Sequence, residues 1–288
     1  MKPAPFDYLA PRTVDEALEA LARHGEEAKV LAGGQSLVPM LNFRLARPAV
    51  IVDINRVSGL DGLGEGGGTL QVGALVRQRR LERWAATAAP LLHAGVRLIG
   101  HPAIRTRGTV GGSIAHADPA AEYPAVLVAL EGEVVARGPR GERVIGAADF
   151  FQTYLTTALA PDEILTEVRL PAMEPGSGWA FEEFARRHGD FAIVGIAALV
   201  VLDGRRCRRA RLAAAGAGPV PVRLRQAEAV LERGSVDESS IQAAAAAAER
   251  AVEPDGDLHA SAEYRRHLTG VLTARALRRA VARAEGRP

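Results

Sequence analysis

Two short glycine turns are the part of this 288-residue sequence whose residue types and spacing could do chemistry. AGGQS (32–36) follows an apolar run, and TVGGS (109–113) lies further along the chain. Each contains a glycine pair closely followed by serine. Such a pair lets backbone N–H groups approach an anion without obstruction by side chains, and the hydroxyl adds a donor. Either segment alone could be a plain tight turn, but two together favour two walls of one diphosphate site.

A third glycine-rich segment, GLGEGG (62–67), matches the dinucleotide pattern G-x-G-x-x-G. That pattern works when a strand precedes it and a helix follows, so that the helix N-terminus meets the pyrophosphate. Here turn-forming residues precede it, and TLQVGAL (69–75) alternates like a strand. We therefore expect a flexible connection between strands and no nucleotide at this segment.

Composition excludes several classes of protein. The 36 basic and 34 acidic residues give a net charge of +2, and aromatic residues make up only 5%. Scattered arginines with few aromatics argue against nucleic-acid binding, and we interpret the cluster at 205–211 as a solvated turn and strand edge. The single cysteine, Cys207, excludes an internal disulfide framework, a cysteine-ligated iron–sulfur cluster and a cysteine-rich zinc site in this chain.

The sequence also lacks the patterns of membrane insertion and of nucleophilic or zinc catalysis. No apolar run reaches membrane-spanning length, and the N-terminus has no signal-peptide core. G-x-S-x-G, H-E-x-x-H and P-loop motifs are missing as well. We expect a cytoplasmic protein without a membrane span, without a catalytic nucleophile of these types and without metal ligands.

Periodicity and turn residues predict an α+β chain. Thr13 is placed to cap a first helix, with Glu16 as capping-box partner and Gly25 at its end. MEPGSG (173–178) has the composition of a linker. We therefore expect one domain over 1–175, with subdomains of about 1–55 and 56–175, and a second over 178–288. The second should contain three strands, the middle one buried, and helices at about 223–233, 238–251 and 261–284.

Three segments of the sequence resemble those of a known family. AGGQSLVPMLNFRLARP, TRGTVGGSIAHADPAAEYPA and FARRHGDFAIVG (184–195) are similar to segments of the FAD-binding medium subunit of the molybdenum hydroxylases, the relatives of carbon monoxide dehydrogenase and xanthine dehydrogenase. The resemblance covers essentially the whole chain, in order. It implies an FAD-binding domain of the vanillyl-alcohol-oxidase (PCMH) type, made of two α/β subdomains. A C-terminal domain with a three-stranded antiparallel sheet and a helical bundle should follow.

The resemblance also assigns cofactor-binding positions. The first turn and the strand before it match the family's FAD diphosphate site, and the second turn matches its diphosphate and ribityl site. An acidic position after the second turn and three positions near the isoalloxazine complete the set. The matching residues are Lys29, Val30, Leu31, Ala32, Gly33, Gly34, Gln35, Ser36, Ile99, Thr109, Val110, Gly111, Gly112, Ser113, Glu122, Leu165 and Phe191.

Two side chains near these turns bear on how the flavin is held. Covalent flavoproteins of the wider superfamily carry the flavin on a histidine near the first turn, where this chain has Gln35. Glutamine has no nucleophilic ring nitrogen, so non-covalent FAD is expected. We expect His116 to be a hydrogen-bonded loop histidine. A branched side chain at Gly34 or Gly112 should obstruct the diphosphate path.

The function implied by the resemblance is electron transfer within a complex. A molybdopterin large subunit would oxidise the substrate, and an iron–sulfur small subunit would relay electrons to FAD on this chain. The acceptor would be NAD, a quinone or another molecule, and the complex a dimer of heterotrimers. Two alternatives stay open: a stand-alone flavin-dependent oxidoreductase of the same superfamily, and a non-catalytic nucleotide-binding adaptor. The former would need its own substrate pocket.

Overall fold

Three main sheets and three hydrophobic cores make up the fold. The computed structural model describes residues 1–232 and 234–287. The last residues of two predicted ranges, helix 223–233 and domain 178–288, lie outside these residues. The α+β class predicted from the sequence is confirmed by the elements described below.

A three-stranded parallel sheet forms the N-terminal lobe. Its strands and helices are β1 (Asp7–Leu9), α1 (Val14–His24), β2 (Ala28–Leu31), α2 (Leu37–Asn42) and β3 (Val50–Asp53), with 3-10 turns at Gly25–Glu27 and Ile54–Arg56. The sheet order is β1-β3-β2. The middle strand β3 is therefore bonded on both sides, and the loops after β2 and β3 leave the same edge of the sheet.

Helix α1 begins and ends where its sequence predicts. Thr13 Oγ1 accepts a hydrogen bond from the Glu16 N–H at 3.2 Å, and Gly25 follows the last helical residue with φ 52°. The carboxylate of Glu16 accepts from the N–H of Arg12 at 2.7 Å, one residue earlier than a standard capping box. The apolar face of helix α1 contains Ala17, Leu18 and Leu21 and is buried in the core of the N-terminal lobe.

A five-stranded antiparallel sheet with six helices forms the second lobe. Its elements are β4 (Leu63–Gly66), β5 (Thr69–Gly73), α3 (Gln78–Ala88), α4 (Pro90–Val96), α5 (Pro102–Arg107), α6 (Val110–His116), α7 (Glu122–Ala129), β6 (Glu133–Gly138), β7 (Gly141–Gly146), α8 (Ala147–Phe150) and β10 (Ile164–Pro171). A small separate hairpin pairs β8 (Phe151–Thr153) with β9 (Thr156–Thr157). The main sheet has the order β4-β5-β10-β6-β7.

The glycine-rich segment 62–67 belongs to a hairpin. Strand β4 pairs with β5 across a two-residue turn, Gly67-Gly68, whose φ angles of 59° and 77° are those of a type I′ turn. The expectation of a flexible connection was wrong, because the segment pairs with the strand that follows it. The exclusion of a dinucleotide turn agrees with the structure, since a strand and no helix follows.

The C-terminal part contains a four-stranded antiparallel sheet and three helices. Its elements are β11 (Ser177–Phe184), β12 (Val194–Asp203), β13 (Arg206–Ala215), β14 (Val222–Arg223), α9 (Arg225–Leu231), α10 (Glu238–Arg250) and α11 (Ala262–Ala284). The order is β11-β12-β13-β14. The prediction of three strands missed β14, which is two residues long and has no periodicity to reveal it; it is defined by its bonds to Ala213 and Ala214.

Strand β12 is buried on both faces. Ala197, Leu199 and Val201 enter the core of the second lobe, whereas the alternate side chains, including Ile196 and Val200, enter the core under α10 and α11. This placement explains the uninterrupted apolar run predicted to be a buried strand. The C-terminal sheet is therefore a layer shared by two cores.

The arginine cluster of β13 is paired with acidic residues of other elements. Arg208 and Arg209 both contact Glu174, and Arg211 lies 3.0 Å from Glu131.

Over residues 1–232 and 234–287, no helix combines the length and the apolar character needed to cross a membrane.

We expect Gly178→Ala to destabilise the C-terminal part. A Cβ at this position of β11 would lie 1.7 Å from the carbonyl oxygen of Ala280 in α11, so strand and helix would have to separate. Overpacking of this kind costs about 1–3 kcal/mol or more. Urea unfolding followed by circular dichroism measures the loss. The control is Gly146→Ala, where a Cβ meets open space and φ is −65°; equal stability of the two variants would contradict this packing.

A candidate cofactor site at two glycine turns

The first glycine turn connects β2 to α2 and leaves a row of backbone donors available. Gly34 has φ 73°, a left-handed conformation that favours glycine. The side-chain amide of Gln35 donates to the carbonyl of Gly33 at 3.1 Å, which holds the turn. Across the described parts of the chain, the N–H groups of residues 33–36 bond to no protein acceptor. They can therefore bind an anion.

The second glycine turn is the first turn of helix α6. Thr109 caps the helix, and its hydroxyl accepts from the Gly112 N–H at 3.1 Å. The N–H groups of Val110 and Gly111 donate to carbonyls of residues 76 and 74 at 3.0 and 2.9 Å. These three N–H groups are thus bonded inside the protein. The expectation that both glycine pairs present their N–H groups to a ligand is therefore wrong for the second turn and stays a prediction for the first.

The glycines of the second turn allow close packing. A Cβ on Gly111 would lie 2.5 Å from the Cβ of Ala74, so α6 can sit directly on the end of β5. A Cβ on Gly112 would meet the capping hydroxyl of Thr109 at 2.6 Å and approach Ala32 of the first turn to 3.6 Å. A substitution at Gly112 would therefore disturb the helix cap before it obstructed a ligand.

The two turns lie directly against one another. A Cβ on Gly33 would stand 2.6 Å from the carbonyl oxygen of Arg107 and 3.0 Å from the backbone nitrogen of Thr109. Real Cβ atoms do not approach other atoms so closely, so only glycine fits at position 33. The sequence hypothesis of two adjacent walls matches this contact, although 72 residues (37–108) lie between the turns along the chain.

The remaining predicted residues lie around this contact at different depths. Lys29, Val30 and Leu31 form β2, with Lys29 exposed. Ser36 precedes α2 and Ser113 lies in α6, and both are half-buried. Leu165 is 4% exposed and packs in the core of the second lobe. The carbonyl of its neighbour Thr166 accepts from Ala74 N at 2.9 Å, so Leu165 flanks the segment that supports α6.

Two loops from different lobes bring Ile99 and Phe191 into one region. The half-buried Ile99 accepts a hydrogen bond from buried Arg105 at 2.8 Å. Phe191 belongs to the loop between β11 and β12 and is 56% exposed. Gly189 of that loop, with φ 88°, packs against Gly100, where a Cβ would lie 3.0 Å from the carbonyl oxygen.

Glu122 is a buried carboxyl with a second carboxyl nearby. It begins α7 and is 4% exposed, and burial together with the charge of Glu183 raises its pKa to about 8, with a smaller contribution from Asp118 and an opposing one from Arg105. Burial also raises the pKa of Glu183 to about 7. At neutral pH the carboxyl of Glu122 is therefore largely protonated, and that of Glu183 is about half protonated.

Sequence reasoning missed Glu183. The neighbouring Glu182 faces the other side of β11, where Arg279 of α11 lies 2.5 Å away. Glu183 shares its face with Phe181, and one oxygen of its carboxyl is buried and has no hydrogen-bond partner among residues 1–232 and 234–287. Strand alternation could have separated the two glutamates, but only the fold shows that one meets an arginine and the other Glu122.

His116 is the last residue of α6 and not a loop residue. No hydrogen bond of its ring occurs within the described chain, so the expectation of a hydrogen-bonded loop histidine was wrong. Burial lowers the pKa of His116, against an opposing contribution from Asp118.

Comparison with known proteins gives matches along nearly the whole chain. Residues 4–173 match the family described as the FAD binding domain in molybdopterin dehydrogenase, and residues 179–280 match the CO dehydrogenase flavoprotein C-terminal domain. The 6-hydroxypseudooxynicotine dehydrogenase complex subunit alpha of Paenarthrobacter nicotinovorans is 43% identical, over 99% of this chain and 97% of that protein.

Solved structures give the same result for the fold. A chain of carbon monoxide dehydrogenase from Hydrogenophaga pseudoflava, in a form lacking the Mo-pyranopterin moiety, superposes with a TM-score of 0.96 at 39% identity, covering 98% of this chain and 99% of that one. A chain of quinoline 2-oxidoreductase from Pseudomonas putida 86 gives 0.93 at 36% identity, covering 99% of both.

The buried carboxyl of Glu122 should make stability depend on pH. Between about pH 4.5 and pH 8 the unfolded chain loses a proton that the folded chain keeps, so stability falls as pH rises through this window. Glu122→Gln should match the parent below this window and unfold at least about 2 °C higher near its upper end. Thermal unfolding of the flavin-free chain measures this, with exposed Glu26→Gln as control. A Glu122→Gln variant that follows the parent at every pH would contradict the buried-carboxyl assignment.

Proposed function

Because the chain belongs to the FAD-binding medium subunits of the molybdenum hydroxylases, we propose that it is the electron-transfer subunit of such a complex. It is an oxidoreductase subunit that binds FAD. In the proposed role it takes electrons from iron–sulfur clusters on a partner subunit and delivers them to an external acceptor. The contact between the two glycine turns, with unbonded N–H groups on the first, is the observation that carries the proposal.

The residues of the two turns fit the diphosphate of FAD. The N–H groups of residues 33–36 supply donors, and Gly112, which has no side chain, faces the small methyl group of Ala32. We assign Lys29–Ser36 and Thr109–Ser113 to the diphosphate and ribityl part of the cofactor. When bound, FAD supplies the electron-carrying chemistry, and the protein supplies position and electrostatics.

We assign the flavin ring to the region of Ile99, Glu122, Leu165 and Phe191. The loops of Ile99 and Phe191 pack on one another, and Phe191 offers an exposed aromatic face for stacking. The protonated Glu122 can donate a hydrogen bond that an ionised carboxylate cannot. These side chains would exclude water from one edge of the ring and hold a proton beside it.

The division of labour in the complex follows from the contents of this chain. Its single cysteine, Cys207, is buried, so iron–sulfur clusters belong to a separate small subunit, and molybdopterin to a large subunit. We propose a cytoplasmic dimer of heterotrimers with NAD or a quinone as acceptor. Within the chain, 1–175 serves as the FAD-binding domain, with lobes of about 1–55 and 56–175, and 178–288 as the C-terminal domain.

Gly33→Ala should weaken FAD binding. The added Cβ would press on the backbone of Arg107 and Gly108 at 2.6 and 2.7 Å and move the two turns apart. We expect a loss of at least about tenfold in affinity, equivalent to 1.4 kcal/mol. FAD content per chain, in protein produced with its partner subunits, measures the effect. In the control Gly62→Ala the new Cβ meets open space; equal flavin contents would refute the proposed site.

Acid precipitation should release all of the flavin to the supernatant. Gln35 occupies the position near the first turn where a covalent attachment would need a histidine ring. Absorbance of the supernatant and the pellet measures the distribution, with a histidyl-flavin protein as the control that retains its colour. Flavin remaining in the pellet of this chain would show that another residue forms a covalent link.

A further inference from the structure

We propose that Asn55 and Arg77 are positioning residues that form a side-chain bridge between the two glycine turns and hold them at the spacing that the FAD diphosphate requires. The inference rests on the proposed function and extends it to two residues outside both glycine motifs. The Asn55–Arg77 bridge consists of these two side chains and the backbone carbonyls of Ala32 and Arg107 that they contact.

Asn55 forms the half of the bridge that holds the first turn. It lies in the 3-10 turn after β3, and its Nδ2 donates to the carbonyl of Ala32 at 2.6 Å. Asp53 accepts the Asn55 N–H at 2.9 Å and also the side-chain amide. Tyr8 from β1 donates to the other oxygen of Asp53. The amide is thereby fixed with its nitrogen toward the first turn.

Arg77 forms the half that holds the second turn. It precedes α3, and its backbone pairs with Thr109 in an isolated antiparallel bridge. The next residue, Gln78, donates its N–H to the carbonyl of Gly108 at 2.9 Å. Nη1 of Arg77 donates to the carbonyl of Arg107. Backbone and side chain therefore hold the same three-residue segment.

The two halves meet in one hydrogen bond. Nη2 of Arg77 donates to Oδ1 of Asn55 at 2.7 Å. The bridge therefore runs from the carbonyl of Ala32 to the carbonyl of Arg107, which is the atom that a Cβ on Gly33 would strike. The glycine permits the two backbones to approach, and the bridge fixes how far they do so.

The chemistry of the bridge requires these two residue types. An amide donates through Nδ2 and accepts through Oδ1 at the same time, whereas a carboxylate at position 55 would have no donor for Ala32. The guanidinium of Arg77 reaches Asn55 and Arg107 together through N–H groups on two nitrogens of a rigid fork, whereas lysine carries its three N–H donors on a single nitrogen. Asn55→Ala should therefore remove the links to Ala32 and to Arg77 together, and Arg77→Lys should keep at most one of the two links that the guanidinium makes.

The test compares Asn55→Ala, Arg77→Lys, the double variant and the control Arg83→Lys. Arg83 is exposed and lies on α3, the helix that begins directly after Arg77. Protein assembled with its partner subunits is stripped of flavin, and the Kd for FAD is measured by fluorescence titration. Each single variant should raise the Kd at least about tenfold, and the double variant should add little, because both substitutions break one bridge. The control should keep the parent Kd.

A second measurement separates positioning from general stability. Hydrogen exchange of the flavin-free protein should accelerate in both single variants at the hydrogen-bonded amides of Gln78, Gly108 and Val110, which hold the second turn, with parental protection in β3 and α1. Unchanged Kd values, or unchanged exchange at these three amides, would overturn the bridge. Losses of affinity that add in the double variant would overturn it as well. If Gly33→Ala also leaves FAD binding intact, the proposed cofactor site fails as well; if only Gly33→Ala weakens binding, the bridge alone fails.

Discussion

The approach of Gly33 to the backbone of residues 107–109 is the contact on which the arrangement of the two lobes depends. It joins a turn of the parallel sheet to a segment that precedes α6 in the antiparallel lobe. Hydrogen bonds then extend from it in two directions. One set runs through Ala74 to the carbonyl next to Leu165, and the other through Arg77 to Asn55. The position of the candidate diphosphate site therefore depends on packing as well as on the donors of the first turn.

Local signals in the sequence were sufficient for much of the fold. The cap and glycine stop of α1, the glycine turn after β2 and the apolar run of β12 each depend on neighbouring residues. Strands that are defined only by their pairing with a neighbouring strand were missed. Strand β14 exists through its bonds to β13, and β4 through its pairing with β5.

The candidate site likewise combines features that the sequence reveals with features that only the folded chain reveals. The two turns could be found from their composition, because a glycine pair closely followed by serine suits an anion-binding turn and the sequence contains two such pairs. The different roles of the two turns could not be predicted from composition, since the N–H groups of Val110 and Gly111 bond to carbonyls more than 30 residues earlier in the chain. Glu183 and Asn55 lie outside recognisable motifs. Their relevance comes from Glu122 and Arg77, to which only the folded chain brings them close.

The two buried faces of β12 limit how this strand can change during evolution. A substitution at one position of β12 changes the packing of one core only, because side chains at alternate positions contact different neighbours. An insertion or deletion of one residue would instead exchange the side chains of both cores along the rest of the strand. The strand also leads away from the loop of Phe191. Length variation among homologous chains should therefore collect in that loop and in surface turns, while β12 keeps a constant number of residues.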